Sequence, residues 1–145
     1  MAVHGINHFA ITVTDMARSI DFYTRLFGFE DTGTRLDLSG DFISALQGIP
    51  GAHLHAAVLR KEGVAFELLQ YDAPADAVQV NPLRACDVGS HHVCFTVDSV
   101  DEEYERLLGE GVRFFSPPLD YQGGIRAVYF MDPDGNMLEM LSRAG

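Results

Sequence analysis

His8-Phe9-Ala10-Ile11-Thr12-Val13 alternates as a strand does, and late in the chain it returns as His92-Val93-Cys94-Phe95-Thr96-Val97. Both runs open on histidine. Each is followed by apolar residues at helical spacing: Met16, Ile20 and Tyr23 after the first, Val100, Tyr104 and Leu107 after the second. Asp15 and Ser99 stand where helix N-caps belong. A second pair of segments closes each copy: Phe66-Glu67-Leu68-Leu69 and Leu138-Glu139-Met140-Leu141 each place one carboxylate in an otherwise apolar strand. The order of elements is the same in both copies and only the loop lengths differ, so the chain reads as a duplicated unit.

Each copy reads as a strand, a helix and about three further strands. In the second copy Asp132-Pro133-Asp134-Gly135-Asn136 is a strong turn signal, joining a strand over 125–131 to one over 137–141. Arg60 to Val64 does the same between 52–59 and 65–71 in the first. The stretch from Asp72 to Gly89 carries Pro74, Asn81-Pro82 and Gly89 without clear periodicity, and reads as a linker or a functional lid. The expected fold is α+β: two tandem βαβββ modules, the first over about 4–72, the second over about 89–143, with a linker over about 73–88. The length, 145 residues, suits one domain spanning 1–145.

Composition narrows the function classes. With 47% hydrophobic and 21% charged residues the chain has an ordinary globular balance. A net charge of -11 opposes binding to phosphate backbones and to anionic membranes, so neither nucleic acid nor membrane is an expected partner. No apolar run approaches the ~20 residues of a membrane span, and Met1 to His4 lacks the pattern of a secretory leader. The expected location is the cytoplasm. Two cysteines, Cys86 and Cys94, without C-x-x-C spacing, read as reduced thiols.

Side chains alternate across a strand. His8, Ala10 and Thr12 therefore share a face opposite Phe9, Ile11 and Val13, and His92, Cys94 and Thr96 repeat the arrangement. Glu67 and Glu139 likewise oppose their apolar neighbours. A charged group within a sheet is costly unless paired, hydrogen-bonded or metal-bound. Two imidazoles and two carboxylates at duplicated positions make an N2O2 donor set suited to one divalent ion: zinc, nickel, cobalt, manganese or ferrous iron. A lone strand histidine is ordinarily a hydrogen-bonded core residue; four donors at equivalent places are not so easily explained.

The opening run with Asp15, Arg18-Ser19 and Asp21-Phe22-Tyr23, and the closing Tyr129-Phe130-Met131-Asp132-Pro133-Asp134-Gly135-Asn136 with Leu138-Glu139, resemble the vicinal oxygen chelate superfamily, the glyoxalase and bleomycin-resistance group. The resemblance covers essentially the whole chain. It implies a cupped mixed sheet with helices outside, and places His8, Glu67, His92 and Glu139 as metal ligands. Homodimers are common in that group, so a homodimer is expected.

Hairpin register extends the site. If Met131 faces Met137, Tyr129 lies opposite Glu139, and the spacing between the copies puts Ala57 opposite Glu67. His55, two residues earlier, should then look inward. Leu69, Tyr71 and Leu141 follow the glutamates on the same face as an apolar wall of a substrate pocket. Arg126 shares the outer alternation and is not expected to clamp substrate; His91 should point outward. Arg35, Arg84 and Tyr121 lie in segments whose orientation the pattern leaves open.

The resemblance implies a metal-dependent lyase or isomerase of glyoxalase or epimerase type, acting on a small carbonyl substrate through an enolate, with Glu139 first and Glu67 second as base. Gly89-Ser90-His91-His92-Val93-Cys94 resembles the second-copy strand of acyl-coenzyme-A epimerases, whereas the turn at Asp132 is the group's generic one. The segment after Glu67 departs from glutathione-dependent glyoxalases. Fosfomycin thiol transferases normally lack a ligand at the Glu67 position. Two other readings are a non-catalytic binder of an antibiotic-like small molecule, which the retained ligand types oppose, and a ring-cleaving dioxygenase, which needs only three ligands.

Overall fold

The computed structural model describes residues 4–75 and 84–143. The chain divides into two compact units, Met1–Gln79 and Val80–Gly145. Half of the expected linker, residues 76–83, falls outside the described residues.

The first unit runs β1 (His8–Thr12), α1 (Met16–Asp21), β2 (Glu30–Ser39), α2 (Asp41–Gln47), β3 (His53–Lys61) and β4 (Val64–Ala73). Its four strands lie in the order β1-β4-β3-β2, with β1 and β4 parallel and the other pairs antiparallel. Asp15 caps α1, its carboxylate accepting from the Arg18 N–H, as its place in the sequence predicts. Beyond Asp21 the helix widens into a π-helical segment, Phe22–Leu26. The adjacent Phe22 and Tyr23 of this segment are both buried. The Tyr23 ring meets Phe66 at 4.9 Å and Phe22 at 5.1 Å between centroids, both edge-on. Ile11, Leu59 and Leu68 are buried on that same face of the sheet.

The sequence pattern did not indicate α2. Only Ile43 of its seven residues is buried, while Phe42 and Leu46 are exposed, so it carries no helical stripe. It is held because Ile43 joins Ala52 and Leu54 in a small core against Leu38, Ile49, Leu69 and Tyr71. Gly48, at φ 68°, ends it in the left-handed conformation.

The second unit runs β5 (Val93–Thr96), α3 (Val100–Gly109), β6 (Arg113–Phe114), β7 (Leu119–Tyr121), β8 (Ile125–Met131) and β9 (Met137–Arg143). The order β5-β9-β8-β6 repeats that of the first unit, with β7 also on β8, so two short strands stand where β2 stands as one. Ser99 caps α3 by accepting from the Glu102 N–H. Val100 and Leu107 are buried, as are Val128, Phe130, Leu138 and Met140 of the sheet. The turn between β8 and β9 is organised by Asp132, itself buried. One of its oxygens accepts from the N–H groups of Asp134 and Asn136, the other from the Asn136 side-chain amide.

Candidate metal centre

Each unit brings a histidine and a glutamate together in the same way. In the first, parallel pairing sets Ala10 against Glu67, so His8, two residues earlier, shares the Glu67 face. In the second, Cys94 pairs with Glu139, and His92 again lies two residues before. His8 Nε2 is 3.7 Å from Glu67 Oε2, and His92 Nε2 is 3.0 Å from Glu139 Oε2. The carboxylates are more enclosed than the imidazoles: the Glu139 side chain is 17% exposed and that of His92 37%.

His8 has a second anchor. Its Nδ1 lies 2.9 Å from the Asn7 amide oxygen, a contact that orients the ring with Nε2 toward Glu67. That leaves Nε2 free for a metal. Asn7 was missed in the sequence because it precedes the strand and belongs to no periodic pattern.

Tyr129 pairs with Glu139 as the hairpin register indicates. Its hydroxyl is 3.4 Å from His92 Nε2, with the two rings edge-on at 5.0 Å. Partial burial and the Glu139 carboxylate raise the Tyr129 hydroxyl above the ordinary phenol range. The same causes, burial first and Glu139 second, push the Cys94 thiol up to about 12. Both groups are protonated at neutral pH, so they can donate hydrogen bonds beside Glu139, and Cys94 is no nucleophile.

Two expectations in the first unit are corrected. Val58, not Ala57, lies opposite Glu67. The β3–β4 turn closes at Lys61↔Val64 around Glu62-Gly63, whereas the β8–β9 turn closes at Met131↔Met137, so the spacing between copies does not transfer across turns of unequal length. His55 in consequence does not look inward. It pairs with Gln70, which by alternation lies on the opposite face from Glu67, and its Nε2 lies 2.9 Å from Asp72 Oδ2.

Leu69 and Tyr71 do share the Glu67 face, but they help seat α2, and the Tyr71 hydroxyl lies 3.0 Å from Gln47 Oε1. Leu141 shares the Glu139 face, with Ala127 and Thr96 beside it. Arg126 lies on the outer face and is engaged by Asp101 and Asp120. Arg35 pairs with Asp31 and Arg84 with Asp87, which occupies both guanidinium groups within their own loops and strands. Tyr121 is exposed. His91 is also exposed, with Nδ1 3.4 Å from the Gly89 carbonyl.

The donor set fits a divalent ion: each unit offers one imidazole and one carboxylate, facing one another on one side of its sheet.

A family model, the Glyoxalase/Bleomycin resistance protein/Dioxygenase superfamily, matches residues 5–140. Among characterised relatives, a 2-epi-5-epi-valiolone epimerase of Actinomyces sp is 32% identical over 95% of this chain and 79% of its own length. A lactoylglutathione lyase of Schizosaccharomyces pombe is 28% identical over 99% of this chain, which spans 49% of that protein. Among solved structures, a glyoxalase family protein from Bacillus cereus superposes with a TM-score of 0.88 at 18% identity, covering 100% of this chain and 97% of that one. The fosfomycin resistance protein of Listeria monocytogenes, solved with Mn(II) and sulfate, superposes with a TM-score of 0.65 at 19% identity, covering 99% of this chain and 95% of that one.

Proposed function

Since this chain belongs to the glyoxalase/bleomycin resistance/dioxygenase superfamily, we propose that it is a metal-dependent lyase or isomerase, of glyoxalase or epimerase type, acting on a small carbonyl substrate. The observation that carries this reading is the repeated register: both units set their glutamate beside the residue two after their histidine, on neighbouring parallel strands. His8, Glu67, His92 and Glu139 are the proposed ligands, drawn from one chain or from two copies of it. A divalent ion bound there supplies Lewis-acid polarisation of a substrate carbonyl, which makes the neighbouring C–H acidic.

Glu139 is the proposed base. It takes a proton from that carbon, and the C–H electron pair moves to the carbonyl oxygen to give an enolate. Protonation of the other face by a second acid, for which Glu67 is the candidate, inverts the carbon; returning the proton to a different carbon isomerises the substrate; loss of a thiolate from the adjacent carbon completes a lyase reaction. Tyr129, whose hydroxyl keeps its proton, donates toward a substrate oxygen beside Glu139. The strand partners of Glu67, Ala10 and Val58, carry no side-chain donor. Leu141 and Leu69 furnish apolar surface on the two faces concerned. The names carried by the epimerase and lyase relatives are consistent with this class of reaction.

The test is metal content on protein prepared without a polyhistidine tag, for wild type, His8→Ala and Glu139→Ala, followed by solvent deuterium exchange into 2-oxoaldehyde thiol adducts and acyl-thioester epimers. Near-stoichiometric metal that drops in both variants, with exchange that depends on it, supports the proposal. A wild-type protein that takes up no ion even after reconstitution removes it, and leaves small-molecule binding without chemistry.

A further inference from the structure

The far end of the first sheet carries a second group of donors, away from the His8–Glu67 pair. Asp37 of β2 stands directly across from His55 of β3, and His53 lies two residues from His55 on the same face. Asp37, His53 and His55 each bring one donor atom to within 4.8 Å of the others. His53 Nε2 is 2.7 Å from Asp37 Oδ1, and the two imidazole rings are 5.2 Å apart. Asp72 of β4 closes the group: its Oδ2 is 2.9 Å from His55 Nε2 and 3.7 Å from His53 Nδ1. By strand alternation this face is the one opposite Glu67.

The geometry points to a divalent-cation site formed by Asp37, His53 and His55, with Asp72 as fourth ligand or as the carboxylate that orients the imidazoles. Two imidazoles and two carboxylates balance a divalent charge and favour zinc, nickel, cobalt or copper(II) over calcium or magnesium. Donors on one zinc ion lie about 3.3 Å apart for bonds near 2.0 Å. The His53–Asp37 contact is tighter than that and the outer limit of the group is wider. Entry of an ion therefore displaces the proton shared by His53 and Asp37, and small side-chain rotations bring His55 in. The paired strands β2 and β3 supply Asp37, His53 and His55, so their spacing is set by the sheet's hydrogen bonds and not by a loop. The Asp37 and Asp72 side chains are open to solvent, at 68% and 43% exposure, which gives an ion a path in and makes the site exchangeable. Tying β2 to β3 at one end, the ion stabilises the first unit by mass action.

The experiment is a titration of metal-free, tag-free protein with Co2+, followed by its visible ligand-field absorption, and with Zn2+ by equilibrium dialysis and thermal melts. Wild type, His53→Ala/His55→Ala, Asp37→Asn/Asp72→Asn and His8→Ala/Glu67→Ala are compared. The expected result is that both cluster variants bind one ion equivalent fewer than wild type and lose part of the Zn2+-induced rise in Tm, while His8→Ala/Glu67→Ala retains that equivalent. The carboxylate variant keeps both imidazoles and serves if the histidine variant does not fold. Equal stoichiometry and an equal rise in Tm in wild type and cluster variants overturn the site. That outcome leaves the His8–Glu67 reading untouched, because the latter is reported by its own variant.

Discussion

Single residues set the geometry around both glutamates, and some do so under strain. Glu62, at φ 48°, precedes Gly63, at φ 80°, in the two-residue turn between β3 and β4. That pair of left-handed conformations is the hairpin turn in which Asn-Gly is preferred, and a side chain as long as glutamate is disfavoured there by about 1 kcal/mol. Glu62→Asn should raise the urea midpoint at constant m-value by a gain of up to about 1 kcal/mol. Asp132 shows the reverse case. Asp132→Ala removes the side-chain acceptor of two backbone N–H groups in a partly buried turn and should destabilise by about 2–3 kcal/mol, read as a lowered urea midpoint. At the proposed centre, Tyr129→Phe keeps the ring against His92 but removes the donor. It should leave metal content unchanged and slow substrate proton exchange by about a hundredfold or more, measured by deuterium incorporation.

Among the elements, β2 carries an irregularity between Asp31 and Arg35, bridged by the ion pair of those residues. The Arg35 guanidinium, helped by the Gly33 N–H, holds the Asp31 carboxyl down at about 2. An unfolded aspartate titrates near pH 3.9, so the folded value is the lower one. The contribution to stability is therefore present above about pH 4 and is lost as pH falls toward 2. Arg35→Gln should bring the Asp31 titration, followed by carboxyl carbon NMR, back toward the ordinary range and flatten the acid limb of the stability curve between those values. The pair faces solvent, so the effect at neutral pH should be small. The helix α2 depends on a single anchor. Ile43→Ala should cost about 2–4 kcal/mol and show first as faster amide exchange over α2, with β1 and β4 still protected.

For the whole molecule the governing quantities are the net charge of -11 and the duplication. Self-repulsion of that size is screened by salt, and each divalent ion bound offsets part of it. Among the described residues no helix is long and apolar enough to cross a membrane. The two units repeat one topology on different loops, β1-β4-β3-β2 and β5-β9-β8-β6, so each presents its own His–Glu pair in its own sheet. Whether the pairs act together is a property of assembly. Mixing His8→Ala/Glu67→Ala chains with His92→Ala/Glu139→Ala chains answers it: metal uptake restored on mixing means that ligands come from two copies, and no restoration means they come from one.

The repeat and everything local to a strand could be read along the chain: the alternation that puts each histidine on the face of a glutamate, the caps at Asp15 and Ser99, the turn at Asp132, and Arg126 on the outer face. These depend on a period of two or on neighbours a few residues away, and such information is written along the chain. The remainder depends on contacts between distant parts of the chain. Val58 and not Ala57 faces Glu67, because register is counted from a turn and the two turns differ in length. His55 moved to the opposite face for the same reason: one residue of slip exchanges the two sides of a strand. Helix α2 exists because Ile43 finds Ala52 and Leu54, a contact that no periodicity within seven residues announces. The grouping of Asp37, His53, His55 and Asp72 likewise needs three strands side by side, since hydrogen bonds between strands, and not spacing along one, bring those donors together.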